Sequence, residues 1–201
     1  MSEPSPSGPE PETVTLYDAE NRITYIGQMS ENMKHGFGCE YYPTLGSTLI
    51  PKAKGQFHNN LPSDPTFSFY NPQGLLQSLG HVTHGLKNGL NSEFHPNGAL
   101  RTTANFTSDK IHQPLTTIYR SNSSIEYIGS ISNSLYNGQG SYYSDSPLTP
   151  LTLTPTLISS GPYLNGLLNG PNCSCYHENG NKMYIGEMKG NLFHGEGELF
   201  H

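Results

Sequence analysis

Polar and apolar residues alternate along this chain in short bursts, and the bursts recur. Met29 lies between Gln28 and Ser30, and Ile131 lies between Ser130 and Ser132. Alternation of period two marks a strand with one buried face. Taking the glycine of Tyr25-Ile26-Gly27 as position zero, that position recurs as Gly27, Gly55, Gly80, Ala104, Gly129, Gly161 and Gly186, at intervals of 28, 25, 24, 25, 32 and 25 residues. Two residues further on, every copy is apolar: Met29, Phe57, Val82, Phe106, Ile131, Tyr163 and Met188. At position fourteen the series is Tyr41, Phe69, Phe94, Ile118, Tyr143, Cys175 and Phe200. A period of this length belongs to stacked copies of one small unit.

Each copy reads as a two-stranded hairpin. Turn formers such as Glu31-Asn32 and Lys189-Gly190-Asn191 separate the two strands, and Asn71-Pro72-Gln73-Gly74, Pro96-Asn97-Gly98 and Glu178-Asn179-Gly180 follow the second. Positions twelve and fourteen share one face, as in Phe67 with Phe69 and Cys173 with Cys175; positions thirteen and fifteen share the other, as in Glu40 with Tyr42. The zero-position glycine leaves room for a neighbouring ring, for which position fourteen is the natural donor. The glycine at position nine is expected to take a positive φ. One hairpin is marginal in water, so the copies must stack to bury a common core. The prediction is an all-β fold, an elongated single-sheet hairpin-repeat solenoid of about seven two-stranded units over 14–201. Residues 1–13, rich in Pro, Ser and Glu, are expected to be a disordered tail. Leu16-Tyr17 reads as part of an incomplete capping unit. The longest interval carries a Pro/Thr-rich loop at 144–160, whose Ser146-Pro147, Thr149-Pro150 and Thr154-Pro155 steps are also candidate phosphorylation sites.

The strongest copies pair Tyr25-Ile26-Gly27 with Gly36-Phe37-Gly38, Tyr127-Ile128-Gly129 with Gly138-Gln139-Gly140, and Tyr184-Ile185-Gly186 with Gly195-Glu196-Gly197. In these residues the chain resembles the MORN (membrane occupation and recognition nexus) repeat family. The resemblance marks Tyr25, Gly27, Gly36, Gly38, Tyr127, Gly129, Gly138, Gly140, Tyr184, Gly186, Gly195 and Gly197 as the structural motif. It implies a platform for partners, in a cytoskeletal or ciliary setting by analogy with similar proteins. Alternatives it leaves open are peripheral binding to anionic phospholipid and a regulatory role within a larger enzyme such as a lipid kinase.

Composition narrows this further. The chain has 201 residues, 10 Lys and Arg against 16 Asp and Glu, a net charge of −6 and no Trp. Nucleic acid is not expected among its partners. No apolar run of about twenty residues is present to span a membrane. Three cysteines without a secretory signal point to a reducing, cytoplasmic setting. Cys173, Cys175 and His177 stand at alternate positions, but with Cys39 distant they read as core residues, not a zinc site. The histidines at position eight (His35, His112, His194) follow the repeat and do not converge. No phosphate loop, metalloprotease pattern or nucleophile elbow occurs, so neither enzyme activity nor a cofactor is expected. Position fifteen places Tyr42, Tyr70, His95, Tyr119 and Tyr176 in a candidate partner-binding stripe. Lys34, Lys87 and Lys110 near equivalent turns are the basis of the lipid alternative. The final strand has no polar cap, so a homodimer through that edge, or a further domain beyond it, is expected.

Overall fold

The computed structural model describes residues 12–44, 46, 48–145 and 155–200. Most of the predicted tail and the Ser-Pro and Thr-Pro steps lie outside these residues. The described chain is all strand and turn. Its strands are β1 (Thr13–Tyr17), β2 (Ile23–Ser30), β3 (Met33–Tyr42), β4 (Ile50–His58), β5 (Leu61–Pro62), β6 (Asp64–Tyr70), β7 (Leu76–Thr83), β8 (Leu86–Phe94) and β9 (Leu100–Thr107). There follow β10 (Lys110–Ile111), β11 (Gln113–Tyr119), β12 (Ile125–Ser132), β13 (Leu135–Tyr143), β14 (Leu157–Leu164), β15 (Leu167–Leu168), β16 (Gly170–Tyr176), β17 (Lys182–Lys189) and β18 (Leu192–Leu199). Thr13 already belongs to β1, and the loop expected to run to residue 160 ends sooner, at Leu157. Its base is closed by the Ser144 amide donating to the Thr156 carbonyl at 2.8 Å.

Every neighbouring pair is antiparallel, and the all-β hairpin-repeat fold agrees with the alternation in the sequence. The chain divides into two compact units, 1–86 and 87–201. In the first, the strands run in the order β1-β2-β3-β4-β6-β7. Its core is Tyr25, Ala53, Phe57, Phe67 and Val82, with Leu16, Met29 and Phe69 packed against it. In the second, β9 is bonded to β8 and β10, and a separate ladder runs β11-β12-β13-β14-β16-β17-β18. Thr102, on β9, donates its hydroxyl to the Thr117 carbonyl at 3.0 Å, engaging a main-chain acceptor of β11 with a side chain. The core of this unit centres on Tyr127, Tyr163 and Tyr184 with Ile118, Ile131, Leu168 and Cys173.

The ring that covers the glycines is not the one at position fourteen. Tyr25, two residues before Gly27 and on the same face, folds over its own Gly27 and over Gly38 directly opposite on β3. Tyr127 covers Gly129 and Gly140, and Tyr184 covers Gly186 and Gly197. A Cβ built on Gly140 would stand 2.6 Å from Tyr127 Cε2, where no atom fits. Tyr25 and Tyr127 are fully buried. Their hydroxyls donate to carbonyls three residues on: Tyr25 to Gln28 at 2.9 Å, Tyr127 to Ser130 at 3.0 Å and Tyr184 to Glu187 at 2.8 Å. The register breaks at these places, between Gly27 and Met29, Gly129 and Ile131, and Gly186 and Glu187. A bulge removes a residue from regular pairing, and the tyrosine hydroxyl takes up its carbonyl. The glycine at position nine forms the opposite side of the bulge, with φ of +85° at Gly36, +97° at Gly138 and +58° at Gly195, as expected.

All seven hairpin turns are of two residues with positive φ: Glu31-Asn32, Asn59-Asn60, His84-Gly85, Ser108-Asp109, Asn133-Ser134, Asn165-Gly166 and Gly190-Asn191. That is the type I′ turn, whose twist matches that of the strands. The second turn residue also ties each copy to the one before. Its amide donates to the position-seven carbonyl at six junctions: Asn60 to Lys34, Gly85 to Pro62, Asp109 to Lys87, Ser134 to Ile111, Gly166 to Tyr136 and Asn191 to Leu168. Where it has an acceptor side chain the tie is reciprocal, with Asn60, Asp109, Ser134 and Asn191 receiving the amides of Lys34, Lys87, Ile111 and Leu168 at 2.7–3.0 Å. Pro62 has no N–H to offer, and the residue facing it is Gly85, which has no side chain to receive one.

Three tests follow from this packing. Gly140→Ala forces a methyl group into the Tyr127 ring and should cost about 3 kcal/mol in a urea melt. Asn60→Ala, which deletes one half of a turn tie, should lose about 1 kcal/mol. Gly166→Asn, placed in open space at a φ of +88° that asparagine tolerates, should instead raise the midpoint, because it offers an acceptor to the Tyr136 amide. Burial, with a smaller contribution from Glu40, pushes the Tyr25 hydroxyl up to about 12, and burial raises Tyr127 as well. The folded chain therefore keeps protons that the unfolded chain releases near pH 10, roughly the ordinary tyrosine value. Stability should be full below that pH and fall as pH rises toward the folded values, which melting followed by tyrosinate absorbance will show.

Candidate functional site

Two kinds of hairpin alternate, and this decides which side chains reach which face. In the first and fifth copies the second strand is continuous, and position eleven faces both its own zero position and the next: Gly27·Gly38·Gly55 and Gly129·Gly140·Gly161. In the second, fourth and sixth copies the second strand is broken after two residues, into β5 and β6, β10 and β11, and β15 and β16. There position twelve faces the next zero position, as in Phe67 with Gly80, Thr116 with Gly129 and Cys173 with Gly186. The shared faces expected from sequence hold only in these interrupted copies. In the first copy Glu40 lies opposite Tyr25 and Ala53, on the core side, and Cys39 faces away from it. Cys39 and Cys173 are equivalent in sequence but on opposite faces.

The stripe at position fifteen is half-buried at all five residues. Tyr42 donates its hydroxyl to the Tyr70 carbonyl at 2.9 Å, and the His95 Nε2 lies 2.7 Å from the Tyr119 carbonyl. Both side chains thus link one copy to the next. The lysines at position seven are also engaged. Lys34 pairs with Glu40 and lies over the Tyr25 and Phe57 rings; Lys87 pairs with Glu93 and lies 4.8 Å from the Phe106 centroid. Lys110, one position earlier in its copy, is exposed.

Two surfaces remain open. The first unit has a groove of about 520 Å³ on the face turned away from Tyr25, lined by Ile26, Phe37, Cys39, Lys54, Thr66 and Tyr70 over the backbone of Gly27, Gly38 and Gly55. Phe37 is 60% exposed there. The second surface is a rim of apolar residues immediately after the turns, at position six. In the first unit it comprises Met33, Leu61 and Leu86; in the second, Leu135, Leu167 and Leu192, with Lys110 as the exception. Leu135, Leu167 and Leu192 are 47%, 45% and 72% exposed, and Leu164 and Phe193 beside them are also open. Sequence reading passed over this rim because it concentrated on the buried positions.

The cysteines hold no site together. Burial raises the thiol pKa of Cys39, Cys173 and Cys175 and so disfavours the reactive thiolate. A register shift between Cys175 and Tyr176 takes His177 out of the alternation, and its amide closes the following turn on the Asn181 carbonyl.

The MORN repeat family model matches residues 25–47, 127–146 and 184–200. These are the first, fifth and seventh copies, the three in which a tyrosine covers paired glycines. A search of curated proteins returned no match. MORN repeats often take part in protein or membrane interactions. With its family matches set on the tyrosine-capped hairpins of an antiparallel all-β repeat, the chain is a MORN-repeat protein.

Proposed function

We propose that this protein is a non-catalytic scaffold that holds protein partners along the apolar rim beside its hairpin turns. The supporting observation is the recurrence of Leu or Met at position six in six of the seven copies, on residues that contribute little to the core. A single exposed leucine needs no explanation, but a row at a fixed place in successive copies forms a patch suited to a partner's apolar side chains. Adjacent hairpins place these side chains about 10 Å apart, two strand spacings. The groove beneath Phe37 and Tyr70 offers the first unit a further contact. The engagement of Lys34 and Lys87 by glutamates favours protein over anionic lipid, since a lipid surface would need those charges free.

The test compares the wild type with a variant carrying Leu135→Ser, Leu167→Ser and Leu192→Ser, and with Leu115→Ser, at an exposed leucine outside both the rim and the groove, as a control, in quantitative affinity capture from the source cell. Partners captured by the wild type should be lost from the triple variant, each rim substitution weakening binding by about tenfold, and kept by the control. An unchanged set of partners in the triple variant would overturn the reading. So would salt-sensitive binding to phosphoinositide vesicles in the absence of any captured protein.

A further inference from the structure

Two histidines from successive copies meet on the open face of the first unit. His35 on β3 and His58 at the end of β4 bring their ring centroids to 4.9 Å, with the ring planes inclined at 55°. They occupy position eight of one copy and position three of the next. Along β3, His35 and Phe37 point to the same side, away from Tyr25. His58 is exposed and His35 half-buried, so both rings are open to solvent. No hydrogen bond to either ring is found among the described residues. The same juxtaposition recurs between the fourth and fifth copies, but there His112 meets Ser132, at 3.4 Å, in place of a second imidazole. Sequence reading saw no convergence of histidines because His58 occupies a different position of its copy from His35.

We propose that His35 and His58 form a binding site for a divalent transition-metal ion of the class that prefers imidazole, such as Zn2+ or Cu2+. Neutral imidazole is a good ligand for these ions, and two rings held on adjacent strands offer two nitrogens without new ordering of the backbone. Among the described residues no cluster of three or more His, Cys, Asp or Glu supplies further ligands. The ion therefore completes its shell with water or with a side chain from a bound protein. It would bridge the first and second copies on the face that carries the groove, close to Phe37.

The experiment is calorimetric titration of the purified full chain with ZnCl2 near neutral pH, together with thermal melts with and without the metal. The wild type should bind one equivalent and melt at a higher temperature when loaded. His35→Asn and His58→Asn should each weaken binding by at least the roughly tenfold that the loss of a supporting residue costs a metal site. His112→Asn should leave both readouts unchanged. The proposal fails if the wild type binds no zinc at millimolar concentration, or if either variant binds as the wild type does. Because melts without metal report the folding of each variant separately, a loss of affinity in a variant that melts normally is assigned to the site.

Discussion

A tyrosine ring laid flat on bare backbone is the contact on which the strict copies depend. The ring of Tyr25, Tyr127 or Tyr184 needs two facing glycines beneath it and a free carbonyl at its hydroxyl end. The bulge supplies that carbonyl, and the glycine at position nine makes the bulge possible. The three features are therefore one device. Removing a facing glycine expels the ring, and removing the ring leaves a hollow over main chain. Edge-to-face contacts carry this packing into the next copy, from Tyr25 to Phe57 at 5.7 Å and from Tyr127 to Tyr163 at 5.5 Å between centroids.

The interrupted copies solve the same problem in another way. After a tyrosine, the corresponding residue in the next copy is small, Ala53 or Ser159, and the space above its glycine is filled from the second strand by Phe67 or Cys173. The third copy has neither ring nor facing glycine. Ser78 and Asn91 are buried in their place, with the Asn91 amide donating to the Gly89 carbonyl at 3.2 Å. Polar filling of this kind goes with the absence of a family match over the third copy.

Much of this was legible in the sequence. The zero-position and position-nine glycines, the turn pairs from Glu31-Asn32 to Gly190-Asn191 and the apolar column at position two each rest on local chain chemistry, and each appears where expected. What was misread concerns phase. Aligning seven copies in one frame averages two hairpin types whose second strands differ by one residue, and a shift of one residue in a strand reverses every side chain. Hence Glu40 and Cys39 were assigned to the wrong faces, and the covering ring was sought at Tyr41 when Tyr25 provides it. The ties between copies were hidden for a different reason. A bond from the Asn60 amide to the Lys34 carbonyl involves main chain and leaves no trace in residue identity, and its reciprocal half shows only as an acceptor side chain at the second turn position, a residue type that turns favour in any case. The position-six rim and the His35–His58 contact escaped because neither belongs to the buried pattern that makes a repeat visible.

Within each unit the two edges of the hairpin stack differ in freedom. Along one, the turns are of equal length and bonded copy to copy, and none admits an extra residue without breaking a tie. Along the other, the connections vary, from the short link closed by Asn71 and Leu75 to the long one between β13 and β14. Apart from the one residue by which the second strands of the two hairpin types differ, the variation in copy length falls on that second edge. It is there that the chain can accept foreign sequence: an epitope or reporter spliced between β3 and β4 would hang from one border and leave the ring-on-glycine interior untouched.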